Sequence, residues 1–153
     1  MNKKIIYLVI ILLFQSCGYV PTYSNLNQNN QKINIQIIDS KGDNTINEII
    51  KFKLSKYKNI DSEKKYLIKI NSNYEKIILS KNKTGSIDQY QLKSTVTFEV
   101  KFNDLTKVIT IEEQSNLKTD TDKFQESIYE NNIKQNFGLT IVNKLLLELS
   151  FLL

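Results

Sequence analysis

Histidine, arginine and tryptophan are absent from this chain, and cysteine, proline and methionine each occur once. Without histidine there is no Ser–His or Cys–His pair to activate a nucleophile. The same absence excludes a histidine-based zinc site, and a single cysteine cannot build a thiolate one. No disulfide can form within the chain, so the fold must rest on its hydrophobic core. Chemistry by carboxylates alone stays open, but it needs a pocket of convergent acids that the sequence does not mark. The expectation is therefore a protein that is not an enzyme and carries no cofactor and no metal. All 21 basic residues are lysine, set against 16 acids, for a formal charge of +5. That balance favours an acidic surface such as phosphorylated lipid and is too weak to imply nucleic acid.

What is present is concentrated at the start. Lys3 and Lys4 precede an unbroken apolar run from Ile5 to Phe14, then Gln15, Ser16 and the sole cysteine, Cys17. A charged start, a short apolar stretch and a small residue before the cut form a secretory signal. Ten apolar residues fall short of the roughly 20 that a membrane span needs. Cysteine directly after the small residue is the pattern of a bacterial lipoprotein signal, in which Cys17 is lipidated and becomes the first mature residue. The alternatives are an uncleaved anchor and an ordinary secretory signal with an incidental cysteine. Cleavage after residue 16 leaves 137 residues with 19 lysines against 16 acids, a formal +3. This length suits one domain that buries about two-thirds of its surface.

The chain divides into a signal peptide (1–16), a lipidated tether (17–31) and a domain (32–153). The tether, rich in Asn and Gln after Tyr23, holds the only proline, Pro21. From Lys32 to Asp39, Ile33, Ile35 and Ile37 alternate with polar residues, which predicts a half-buried strand. A turn is expected at Ser40–Lys41–Gly42. Asp43 or Asn44 can cap a helix, with Thr45 and Glu48 at capping-box spacing and Ile46, Ile49, Ile50, Leu54 and Tyr57 on one face. Lys51, Lys53, Lys56 and Lys58 crowd its second half, where they complement the helix dipole.

Tyr66 to Ser80 predicts a long strand, parallel to the first through a right-handed crossover. A loop from Lys81 to Asp88 leads to the clearest element, Gln89 to Phe102. There Tyr90, Leu92, Val96, Phe98, Val100 and Phe102 alternate with polar residues, and Ser94 alone interrupts the apolar row. Asn103–Asp104 marks a hairpin, and Leu105 to Glu113 returns as a fourth strand. Ser115 to Asp122 reads as a loop. Thr119 or Asp120 is the expected cap of a last helix, with a bend or break foreseen near Asn131, Asn132 and Gly138. The sum is β-α-β-β-β-α, an α/β two-layer sandwich with a four-stranded mixed sheet and two helices on one face. The other face carries Lys, Asn, Gln, Thr and Glu, as plain surface or as a docking face.

These features resemble a family. Cys17-Gly18-Tyr19-Val20-Pro21-Thr22-Tyr23 is similar to the start of the lipopolysaccharide-assembly lipoprotein LptE. The likeness continues through Tyr74-Glu75-Lys76-Ile77-Ile78-Leu79, through Tyr90-Gln91-Leu92 and Val96-Thr97-Phe98-Glu99-Val100, and into the long final helix. The resemblance implies a non-enzymatic lipoprotein anchored on the periplasmic side of the outer membrane. It implies, as partners, lipopolysaccharide and the large outer-membrane β-barrel that translocates it, which the protein would plug and help assemble. Acyl chains on Cys17, palmitate among them, would tie it to the membrane, and Gly18 after Cys17 agrees with sorting to the outer membrane. Lys76, Lys81 and Lys83 are the expected contacts to lipid phosphates, the plainer reading being a solvated loop. An auxiliary lipoprotein of a lipid-transport ABC system is the other class that these features admit.

Overall fold

The third strand organises the domain because its alternation is the most regular in the chain. In the computed structural model, which describes residues 33–58, 62 and 64–151, it runs as β3 (Ile87–Phe102). Leu92, Ser94, Val96, Phe98 and Val100 are all buried on its inner face. The expected signal peptide, Cys17 and the tether to Gln31 lie outside the described residues.

Antiparallel partners flank β3, with β2 (Lys64–Lys81) on one side and β4 (Leu105–Lys118) on the other. The hairpin between β3 and β4 turns at Asn103, whose φ of 52° is a left-handed value that asparagine tolerates. β1 (Ile33–Gly42) pairs parallel to β2, so the sheet order is β1-β2-β3-β4. The expected β-α-β-β-β-α order and mixed sheet are what the structure has.

Each cross-sheet row is one layer of the inner face. Low in the sheet the rows are apolar: Tyr66 beside Phe102, Ile68 beside Val100, and Ile70–Phe98–Ile109. Tyr66 and Phe102 stack at 4.7 Å between ring centres. Higher up, the rows Tyr74–Ser94–Glu113 and Lys76–Leu92–Ser115 turn polar, before Ile78–Tyr90–Leu117 restores apolar character. Ser94, the interruption in the alternation, lies in the first polar row.

Two helices cover this face. α1 (Asn44–Leu54) is capped by Asp43, whose Oδ1 accepts a hydrogen bond from the Ile46 amide at 2.8 Å. It buries Ile46, Ile49, Ile50 and Leu54, as the spacing predicts, and a short 3₁₀ turn (Ser55–Tyr57) ends it. Of its lysines, Lys51 pairs with Glu48 at 3.0 Å. α2 (Lys123–Ser150) lays Phe137, Ile141, Val142, Leu145 and Leu149 into the core. No helix among the described residues is long and apolar enough to cross a membrane.

Four local expectations are corrected. Ser40–Lys41–Gly42 is not a turn: it continues β1 after a bulge between Ile37 and Asp39, opposite Ile70, Asn71 and Ser72. β4 runs on to Lys118, because Gln114, Ser115 and Asn116 find ladder partners in Lys93, Leu92 and Gln91. Asp122, not Thr119 or Asp120, caps α2 by accepting from the amides of Phe124 and Gln125. Thr119 instead bonds the Ile87 and Asp88 carbonyls, and the Asp120 carboxylate takes the Asp122 amide. Finally, α2 is continuous through Gly138. A Cβ there would lie 2.2 Å from Cγ2 of Ile49, so the glycine is what lets α2 pass close to α1.

Candidate functional site

The polar rows high on the inner face meet the first turns of α2. β2 points Tyr74 and Lys76 inward, and α2 brings Glu126, Glu130 and Lys134 down on them at successive steps of four, which share one helix face. Lys76 Nζ donates to Glu130 Oε2 at 2.8 Å and to Glu126 Oε1 at 3.2 Å. Lys123 Nζ donates to the other Glu126 oxygen at 2.8 Å, and the Asp120 amide does so at 3.3 Å. Glu130 Oε1 accepts from the Tyr74 hydroxyl at 2.9 Å and pairs with Lys134 at 3.1 Å. Two rings close the arrangement, with Lys76 Nζ 4.4 Å from the centre of Tyr90 and Lys134 Nζ 4.2 Å from that of Tyr74.

The Glu126 side chain is only 7% exposed and that of Glu130 17%. Lys123, then Lys76 and the Asp120 amide, hold the Glu126 carboxyl down at about 2, although burial opposes them. Burial pushes Glu130 up, but Lys76, Lys134 and Tyr74 together keep it below the ordinary carboxylate range. Burial pulls Lys76 down, and its hydrogen bonds to the two glutamates more than offset this. Burial and then the Glu130 bond push the Tyr74 hydroxyl well above its usual range. At neutral pH the cluster therefore holds fixed charges, and none of its groups is poised to exchange a proton. Its physical effect is to clasp the β2–β3 hairpin to α2.

The clasp has a pH signature. Glu126 titrates at about 2 in the fold against 4.5 ordinarily. A depressed carboxylate adds stability that is complete above the ordinary value and is lost as pH falls through the folded one. Denaturant unfolding should thus show stability falling between pH 4.5 and about 2, by on the order of 2 kcal/mol after allowance for solvent screening. In Glu126→Gln that part of the decline should be missing. An unchanged acid limb in the variant would contradict the assignment.

The structure separates the three lysines expected to meet lipid phosphates. Lys76 is turned inward and committed to Glu126 and Glu130. Lys81 ends β2 and Lys83 sits in the hairpin turn, both exposed. Lys81 is five residues further along the strand than Lys76, about 17 Å at the usual strand rise. The turn itself is ordered by Asn82, whose Oδ1 accepts from the Thr84 and Ser86 amides and the Thr84 hydroxyl. Sequence reasoning passed over Glu126, Glu130 and Lys134. Their four-residue steps were visible, but that they close on Lys76 depends on how α2 crosses the sheet.

No protein-family model matches the chain, and no curated protein matches it in sequence. Solved structures do match it in shape. The rare lipoprotein B of Shewanella oneidensis superposes with a TM-score of 0.57 at 14% identity, covering 75% of this chain and 94% of that one. A Caulobacter crescentus CB15 chain assigned as a lipoprotein gives 0.55 at 8% identity, covering 83% and 93%. The uncharacterized lipoprotein B of Nitrosomonas europaea gives 0.53 at 16% identity, covering 78% and 88%. The chain thus shares its fold with these bacterial lipoproteins over most of their length.

Lateral pairing neutralises part of the outer face of the sheet. Lys69 meets Glu99 at 2.8 Å and Lys93 meets Glu112 at 3.0 Å, while the Thr97 and Thr110 hydroxyls lie 3.1 Å apart. Around them stand Asn71, Asn73 and Gln91 on the same face. The result is a largely polar surface without a dominant charge, interrupted by exposed Val108 beside Glu99 and exposed Ile77 beside Gln91. Among the described residues, no group of three or more acidic, cysteine or histidine side chains is placed to hold a metal ion.

Proposed function

We propose that this protein is a lipoprotein of the LptE kind. In this reading Cys17 anchors it on the periplasmic side of the outer membrane. There it assembles with and plugs the lipopolysaccharide-translocating β-barrel and helps place lipopolysaccharide in the outer leaflet, without catalysing a reaction. The observation that carries the reading is the fold shared with lipoproteins over 88% to 94% of their chains. The sequence at Cys17 supports it independently. A largely polar sheet face on which Lys69–Glu99 and Lys93–Glu112 are paired suits the polar lumen of a large barrel, where an unpaired charge would be costly to dehydrate. Lys81 and Lys83 are the phosphate contacts in this reading, and Lys76 serves by holding their hairpin to α2.

The test is affinity purification of the chain from membranes. A large outer-membrane barrel should co-purify, and lipopolysaccharide retained by the complex should fall when Lys81 and Lys83 are both changed to Gln. Recovery of inner-membrane transport subunits in place of a barrel would overturn the reading in favour of an ABC-system lipoprotein.

A further inference from the structure

β1 and β2 do not end together. β1 stops at Gly42, opposite Ser72, whereas β2 continues for nine residues, Asn73 to Lys81. Along this stretch β3 occupies one side of β2, and among the described residues no strand occupies the other. The main-chain groups there form an open edge, and three consecutive apolar residues stand on it. Ile77 is 43% exposed, Ile78 49% and Leu79 46%.

Soluble proteins ordinarily guard such an edge with a charge, a bulge or a cover. Here the guards stand at the ends of the apolar run, with Glu75 below it and Lys81 above, or are drawn away from it. Lys76, the charge placed to block the edge, is drawn inward by Glu126 and Glu130. The pairing of β2 with β3 stays regular as far as Ile78, and its register shifts only beyond that residue. The other free edges among the described residues, the outer side of β1 and that of β4, offer no comparable run: β1 exposes only Ile38, and on β4 Leu105 and Val108 stand apart.

We propose that the upper edge of β2 is a self-association surface, on which a second copy of this chain adds the same edge antiparallel about a two-fold axis near Ile78. Charge selects this occupant and this orientation. The edge is polarised, with Glu75 below the apolar run and Lys81 and Lys83 above it. Antiparallel pairing brings each Glu75 to the lysine end of the other copy, whereas parallel pairing would set like charges side by side. The Ile77–Leu79 runs then cover one another, and the backbone groups of both edges are satisfied. Because both copies use the same patch, the contact closes at two. This inference does not depend on the lipoprotein reading.

The experiment uses the full chain in detergent, with protein mass read by sedimentation and light scattering, and three sets of variants at exposed positions. The unaltered chain should dimerise at micromolar concentration. Glu75→Lys alone, and Lys81→Glu with Lys83→Glu, should each weaken dimerisation about tenfold, since reversal turns surface attractions into repulsions at both ends. Mixing these two variants should restore association as a mixed dimer. Ile77→Lys should abolish it in every combination, and circular dichroism should report the same fold throughout. A monomeric unaltered chain at about 100 μM, a mixture no tighter than its components, or growth beyond a dimer would each overturn the proposal.

Discussion

Gly42→Ala should destabilise the domain by about 4 kcal/mol, far more than a surface methyl group normally could. Gly42 holds φ at 97°, in the region that L side chains avoid. A Cβ built there would sit 1.7 Å from the carbonyl oxygen of Ser72. That oxygen accepts the Asp43 amide at 3.1 Å, the bond that hands the chain from β1 to the capped start of α1. Alanine therefore adds left-handed strain of about 1–2 kcal/mol. It must also push the β1 end off β2, which exposes or breaks that bond at about 1–3 kcal/mol more. Gly85→Ala is the control. Gly85 has φ of 84° but nothing within 4 Å of its would-be Cβ, so it should show the strain alone. Chemical denaturation of both variants separates the two contributions, and equal losses would remove the collision from the account.

Gly138→Leu should cost about 3 kcal/mol, although glycine inside a helix is ordinarily a weakness worth about 1 kcal/mol to repair. The sign reverses because the first added carbon already meets Ile49, at 2.2 Å from Cγ2 and 3.1 Å from Cβ. That Cβ cannot move without α1, and Cγ2 moves only by a χ1 rotation that a β-branched residue in a helix strongly resists. Ile49→Ala alone should also destabilise, by emptying part of the same contact. In the double variant the leucine can occupy the vacated space. The two changes should then fall short of additivity by about 1–3 kcal/mol, measured by a double-mutant cycle. Additive losses would mean that Gly138 does not set the spacing between the helices.

These two glycines show where the sequence was readable. The alternation of β3, the Asn103–Asp104 hairpin, the isoleucine face of α1 and the Asp43 cap are local signals, and each is present in the fold. What misled lay in contacts between segments. Gln114–Ser115–Asn116 has the composition of a loop, yet it is strand because β3 supplies its ladder. Gly138 has the propensity of a break, yet Ile49 makes it a point of contact. The stretch Thr119 to Asp122 offers four polar side chains for one cap, and only their other partners decide which takes the role. The clasp among Lys76, Glu126 and Glu130 spans 50 residues and more along the chain, beyond any local reading.

The order of the strands carries a last consequence, for how the domain is made. Every strand pairs with its neighbour in sequence, so β2, β3 and β4 can zip as successive hairpins with short loops to close. The final helix is the exception. Until α2 arrives, Phe98, Ile109 and Ile111 face water, and Glu126 has not yet reached Lys76. The species at risk of clumping is therefore a finished sheet that lacks its last 28-residue cover. A chain cut short before Lys123 should accumulate in that form.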